Sequence, residues 1–376
     1  MAALTSRRVV ALFAALCALL PAFALPSSAG PAKGLGGTTD FEVVLASTAD
    51  FAFSVLGVLG GDLYMFGSQG ESAQQNAGVW RRRAGVPRWN KLGDASRPLD
   101  YNRFANAGAT AYQGRLYLGD RRVGQLFRLD LDPFGIDPND GGPAFVDVTP
   151  VLVLPSHEDV FVGPAWNERL MIGTFGRDVG GEVTNGLPGL YSFDGETATL
   201  VQEFTEMGMG GYVLSIQPVN KDLYVSVVAA DRVHGELWRV DQDSVATRVW
   251  SGDRAYWLAE RDARLVGLRA CFDGQSTLPH LATWDDELAD WTDVTPEFSA
   301  PGRNDGIRRV GHELLIYAHS DGVWSQRAGD PPRKIASKPR VASTAVYAGS
   351  LVVTGNQPPS LYSRLLTAAE AGLPAG

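Results

Sequence analysis

One phrase returns seven times along the chain: a hydrophobic strand, a small polar turn, then Leu, an aromatic or aliphatic residue, another hydrophobic residue and often Gly. It reads GGDLYMFGS over 60–68, QGRLYLGD over 113–120, NERLMIGT over 167–174 and NKDLYVSV over 220–227. It continues as DARLVGLR over 262–269, GHELLIYA over 311–318 and AGSLVVTG over 348–355. A short-strand unit recurring at a period of roughly 40–50 residues cannot bury its apolar face alone, and it specifies a propeller or a similar array.

Each repeat continues in the same order. A third strand follows a polar loop: VWRRR at 79–83, LFRLDL at 126–131, LYSFDG at 190–195, LWRVD at 237–241, LATWDD at 281–286, VWSQR at 323–327 and LYSRLL at 361–366. Alternation of apolar and polar residues marks these as half-buried strands. A fourth strand closes six of the units, and Asp-Val-Thr-Pro recurs in two of them, at 147–150 and 293–296. The seventh unit has no fourth strand. FEVVLAS at 41–47, ahead of the first repeat, supplies the missing piece, because a strand from one end that completes the blade begun at the other closes the ring and removes an exposed edge. The expected fold is all-β: a seven-bladed β-propeller closed by an N-terminal outer strand, a single domain over 41–366 with a tail at 367–376. The rival is an array of two-sheet sandwiches. Aromatic residues recur at one place in the units, at Trp80, Phe127, Tyr191, Trp238, Trp324 and Tyr362, and that regularity predicts packing between neighbouring sheets.

The Leu-Tyr phrases entering the second strand of each unit resemble those of kelch-type and galactose-oxidase-like propellers. The double glycine of kelch repeats is absent, and so are the Gly-His and Trp-Asp marks of the WD class. Ser320-Asp321-Gly322-Val323-Trp324 has the letters of a sialidase Asp-box at the wrong spacing. The resemblance implies a fold and an extracytoplasmic habit; it implies no activity.

Ahead of the repeats, Arg7 and Arg8 precede an apolar run at 9–20 that is too short to span a bilayer, followed by small residues. This predicts a signal peptide over 1–29, a flexible lead-in over 30–40 and a secreted or periplasmic protein. Removing Arg7 and Arg8 from the 33 basic residues leaves 31 against 42 acidic ones, a net charge of −11 for the mature chain, with no transmembrane segment in it. That balance excludes nucleic acid as a partner, since such binding is led by basic contacts to phosphate. Cys271 is the only cysteine of the mature chain, so no internal disulfide forms, and a buried, inert thiol is expected.

In a propeller, loops between the second and third strands share one face with loops between blades, and ligands gather where those loops converge. On that face the sequence places Tyr101, Arg103, Arg121, His157, Arg177, His234, Arg269 and His319 as ligand-binding candidates, with Asp100, Asp120, Arg122, Glu158, Asp159, Asp178, Asp231, Arg232, Asp253, Arg254, Asp273, Arg303, Asn304, Asp305, Asp321 and Asn356 beside them. Arg donates a bidentate fork to carboxylates and hydroxyls, and Tyr101 and Tyr256 are candidate platforms for a sugar ring. The expected function is recognition of a glycan or an extracytoplasmic protein. The alternative is a polysaccharide lyase or glycoside hydrolase with its site at the channel mouth and its base among His157, His234, His319 and Tyr101; no catalytic residue is assigned. A copper-radical oxidase would need a Tyr–Cys pair and more than the five histidines present. No cofactor is expected, apart from a structural calcium that Asp137, Asn139 and Asp140 could hold in an acidic loop running from Asp130 to Gly141, on the opposite face. The same residue types are the ordinary ones of turns.

Overall fold

The structure, a computed structural model, describes residues 42–46, 51–69, 76–86, 88–98, 109–119, 124–154, 157–176, 186–208, 210–272, 280–293, 304–318, 322–336, 341–356 and 359–365. The predicted signal peptide and the tail lie outside these residues. Among the described residues, four consecutive strands at a time form an antiparallel meander. Blade 1 is Phe51–Leu59, Asp62–Gln69, Asn76–Arg82 and Asn90–Pro98. Blade 2 is Thr110–Tyr112, Arg115–Gly119, Gln125–Ile136 and Pro143–Val153. Blade 3 is His157–Trp166, Arg169–Gly176, Gly189–Phe193 and Ala198–Glu203. Blade 4 is Tyr212–Val219, Asp222–Val228, Gly235–Val240 and Ala246–Gly252. Blade 5 is Tyr256–Arg261, Arg264–Arg269, Leu281–Asp285 and Asp290–Asp293. Blade 6 is Asn304–Val310, Glu313–Ala318, Gly322–Arg327 and Arg333–Ala336. Blades 3 and 4 share one bridge, Phe175 opposite Tyr212.

Blade 7 is the seam. Val341–Tyr347, Ser350–Asn356 and Pro359–Leu365 take Glu42–Ala46 as their outermost strand, with Glu42 opposite Ser363 and Ala46 opposite Ser360. Each first strand packs against the first strands of both neighbours, blade 7 against blade 1 included. The chain is therefore a closed β-propeller with its first strands around the axis. Across the seam, the backbone N–H of Leu56 donates to Ser343 Oγ at 3.1 Å and Tyr347 Oη donates to the Arg82 carbonyl at 3.1 Å.

The repeated phrase has a physical reason at each letter. Its polar turn joins the first and second strands, and pairs such as Gln113-Gly114 (φ 47° and 70°) and Asn167-Glu168 (φ 48° and 59°) are left-handed at both positions. That is the turn whose twist matches an antiparallel ribbon. The Leu that follows is core: Leu63, Leu116, Leu170, Leu223, Leu314 and Leu351 are fully buried. The closing Gly is a contact point for the next blade. A Cβ on Gly119 would stand 1.8 Å from the Val160 carbonyl oxygen, and one on Gly173 would stand 2.6 Å from Val213.

The recurring aromatics pack between blades. Trp80 meets Tyr347 of blade 7, Phe127 joins Tyr64 and Phe66 of blade 1, and Trp238 lies edge-on to Phe204 behind blade 3 at 5.4 Å. Trp284 fills the same role in blade 5, against Tyr224 of blade 4. Burying each such ring contributes about 1.5–3 kcal/mol, so the clusters between blades hold the ring.

The acidic stretch of blade 2 differs from expectation. It is not one loop: the third strand runs on through Ile136, carrying Asp130 and Asp132 in the sheet, and only Asp137–Gly142 turns. Asp130 pairs with Arg128, and Asp137 and Asp140 are engaged by the buried Arg81 of blade 1. Arg81 forks onto Asp140 (Nε to Oδ2 2.9 Å, Nη2 to Oδ1 2.6 Å) and donates from Nη1 to the Pro143 carbonyl at 2.7 Å. Asn90 adds a donor to both carboxylates, and Arg88 caps the Asn139 carbonyl. A guanidinium takes the carboxylate oxygens that a cation would need, and the turn staples blade 1 to blade 2.

Candidate functional site

Among the described residues, polar side chains of blades 4 and 5 come together on the predicted face. The loop after Val228 is a tight turn built by Asp231, whose Oδ1 accepts the backbone N–H groups of Val233 (2.8 Å) and His234 (3.0 Å). The Ala229 N–H donates to the His234 carbonyl at 2.9 Å, closing the turn. This fixes the exposed His234 so that its Nδ1 bonds Asp231 Oδ2. That hydrogen bond, with the Asp231 charge, raises the His234 pKa above its ordinary value. Asp231 in turn sits below the carboxylate range, its burial outweighed by the bonds from His234 and from the backbone of Val233 and His234.

The loop between blades 4 and 5 adds Asp253 and Arg254, with Arg254 Nε 3.3 Å from Asp253 Oδ1. This bond lowers the Asp253 pKa. Arg269, half-buried at the end of the second strand of blade 5, also lowers Asp253 through its charge, and Asp253 helps to raise His234. Two loops and the end of a strand thus bring the Asp231–His234 and Asp253–Arg254 pairs and Arg269 near enough to act on one another's charge. Gly235 makes the approach possible, since a Cβ there would lie 2.4 Å from the Arg254 carbonyl oxygen.

Of the eight candidates read from the sequence, His234 and Arg269 come together here. His157 opens the first strand of blade 3. Tyr101, Arg103, Arg121, Arg177 and His319 lie outside the described residues. Tyr256 is not a platform for a sugar: it is buried, stacked on Trp291 at 4.2 Å and edge-on to Trp250 at 5.9 Å. The strand pattern shows that Tyr256 begins a strand but not which side of the blade it faces. Cys271 is buried, its Sγ 3.8 Å from the Arg269 carbonyl oxygen. Among the described residues no group of three or more His, Cys, Asp or Glu side chains is placed to hold a metal ion.

Chemically, the face offers an exposed imidazole held by a carboxylate, with two half-buried guanidinium groups nearby. Such a surface donates and accepts hydrogen bonds in fixed directions, which suits recognition of hydroxyls and carboxylates.

No protein-family model matches the chain, and no curated protein matches it in sequence. Among solved structures it is similar to the WD40 β-propeller domain of Doa1, with a TM-score of 0.56 and 10% identity over 88% of this chain and 98% of that one. Sqt1 from Chaetomium thermophilum gives a TM-score of 0.54 and 10% identity, over 87% of this chain and 100% of that one. A prolyl endopeptidase gives 0.55 and 14% identity, over 86% of this chain and 49% of that one. The chain thus spans about half the length of that peptidase. At these identities the likeness shows the fold, a β-propeller, and nothing of the chemistry.

Proposed function

We propose that the protein is an exported binding propeller that recognises a glycan or a protein partner through the loop-rich face of its ring. The observation that carries this reading is that two loops and a strand end bring the Asp231–His234 pair, the Asp253–Arg254 pair and Arg269 to one face. Loops held by rigid blades are where such scaffolds place function. Two arginines among paired carboxylates favour a ligand rich in hydroxyls with an occasional acidic group, such as a uronate-containing glycan. Export rests on the N-terminal segment, with its paired arginines and short apolar run.

One observation favours the rival reading, a carbohydrate-active enzyme: the Asp231–His234 pair has the form of an oriented acid–base group. A lyase would use it beside Arg254 or Arg269 as the group that neutralises a uronate. The experiment that tests the binding reading is a glycan array of neutral and uronate-containing polysaccharides, probed with the wild type and with Arg254→Ala/Arg269→Ala. Binding by the wild type that falls at least about tenfold in the variant agrees with it. Binding that the double substitution leaves unchanged counts against this face.

A further inference from the structure

The ring encloses a second feature, distinct from the loop-rich face. A central cavity of about 470 Å³ runs between the first strands and is lined by residues of all seven blades. Its size falls within the range of small-molecule sites, about 300–1,000 Å³. The wall is apolar over about half of its surface, with Val58, Ala111, Pro164, Ala165 and Ile216 among the residues that line it. Its charged lining consists of Arg308 and Arg309, and among the described residues no carboxylate lines it. In a protein of net charge −9 this is a local reversal of sign.

The two arginines are not equivalent. Arg309 is neutralised: its Nη1 bonds Glu260 and its Nε donates to the Gly311 carbonyl. Arg308 makes one bond, from Nη1 to the Thr344 carbonyl at 2.7 Å, across the boundary between blades 6 and 7. Its Nε and Nη2 donors have no partner among the described residues, and its side chain is exposed. A guanidinium anchored by one nitrogen on a wall that is only partly apolar, with its other donors unpartnered among the described residues, matches a carboxylate in charge and geometry.

We propose that the central cavity is a binding site for a small amphipathic carboxylate, with its hydrocarbon body along the wall and its carboxylate on Arg308. The test is calorimetric titration of the full chain with octanoate, and with octan-1-ol and octylamine as neutral and cationic counterparts. The expected result is saturable one-to-one binding of octanoate, with octan-1-ol at least about tenfold weaker and octylamine weaker still. Arg308→Gln should weaken octanoate at least about tenfold while leaving octan-1-ol unchanged, and Arg308→Lys, which keeps the charge but not the fork, should fall between the two. Ala111→Phe/Ala165→Phe, two exposed positions on the cavity lining, should block octanoate without lowering the melting temperature. No octanoate binding by the wild type, octylamine binding as tight as octanoate, or full affinity in Arg308→Gln would each overturn the proposal. Should Arg308→Gln fail to fold, the three-ligand comparison on the wild type and the occluded variant decide alone.

Discussion

Replacing Arg81 with Met should destabilise the ring by about 3–5 kcal/mol, the range for removing one partner of a buried ion pair. The side chain of Arg81 is 0% exposed and that of Asp140 is 2% exposed, so water cannot reach in to solvate the carboxylate left behind. Met fills much of the volume but supplies none of the lost donors: two to Asp140 and one to the Pro143 carbonyl. Asp140 keeps the Gly142 N–H at 2.9 Å and Asn90 Nδ2 at 3.2 Å, which holds the effect to the lower half of the range. Urea unfolding monitored by tryptophan fluorescence measures it, with the dependence on urea unchanged. Asp140→Asn removes the charge that Arg81 balances, so Arg81→Met/Asp140→Asn should fall short of the sum of the single effects by about 1–3 kcal/mol. Additive effects, or a loss below about 1 kcal/mol for Arg81→Met, would refute the view that this pair staples blade 1 to blade 2.

Three further outcomes follow from the same structure. Gly119→Ala forces a Cβ against the Val160 carbonyl and should cost about 2–3 kcal/mol by overpacking, measured as a fall in the urea midpoint. Deleting Glu42–Ala46 strips blade 7 of its outer strand, losing ladder bonds of about 0.5–1.5 kcal/mol each; a melting temperature equal to that of the full chain would contradict closure at this seam. Stability should fall as the pH drops from about 4 toward 2, because carboxylates whose folded pKa lies below the unfolded value stabilise the fold only while ionised. Asp140 is held low in spite of its burial by Arg81 and the Gly142 N–H, and Asp194 lies at about 2 because the backbone N–H groups of Thr197 and Glu196 bond it. Asp194→Ala should flatten that acid limb, read from melting temperatures across the pH range. His234 has the opposite sign: raised by Asp231, it contributes below its unfolded pKa and loses that contribution as the pH rises through its folded value.

Much of the fold is legible in the chain because the repeat states the same physics seven times. Apolar alternation gives the strands, left-handed turn pairs give the hairpins, and the unmatched strand at 41–47 has only one unit left to complete. The site is less legible. Asp231 and His234 lie three residues apart, so their pairing shows in the sequence, whereas Arg81 and Asp140 lie 59 apart and meet only once two blades dock. The length of the third strand of blade 2 is hidden because Asp and Pro inside it read as turn residues until the sheet absorbs them. The central cavity leaves no mark either. Its lining comes from first strands whose apolar letters look like core, and Arg308 reads as one more polar residue on an alternating strand.

On the function proposed above, the face of blades 4 and 5 binds a ligand without transforming it. The most direct measurement incubates the wild type with the polysaccharide that it binds best and follows both complex formation and the chain length and unsaturation of the polysaccharide. The expected result is a ligand recovered unchanged, with complex formation lost in Arg254→Ala/Arg269→Ala and weakened but still present in His234→Ala. Depolymerisation by the wild type that His234→Ala abolishes while the fold stays intact would contradict it and make the propeller an enzyme.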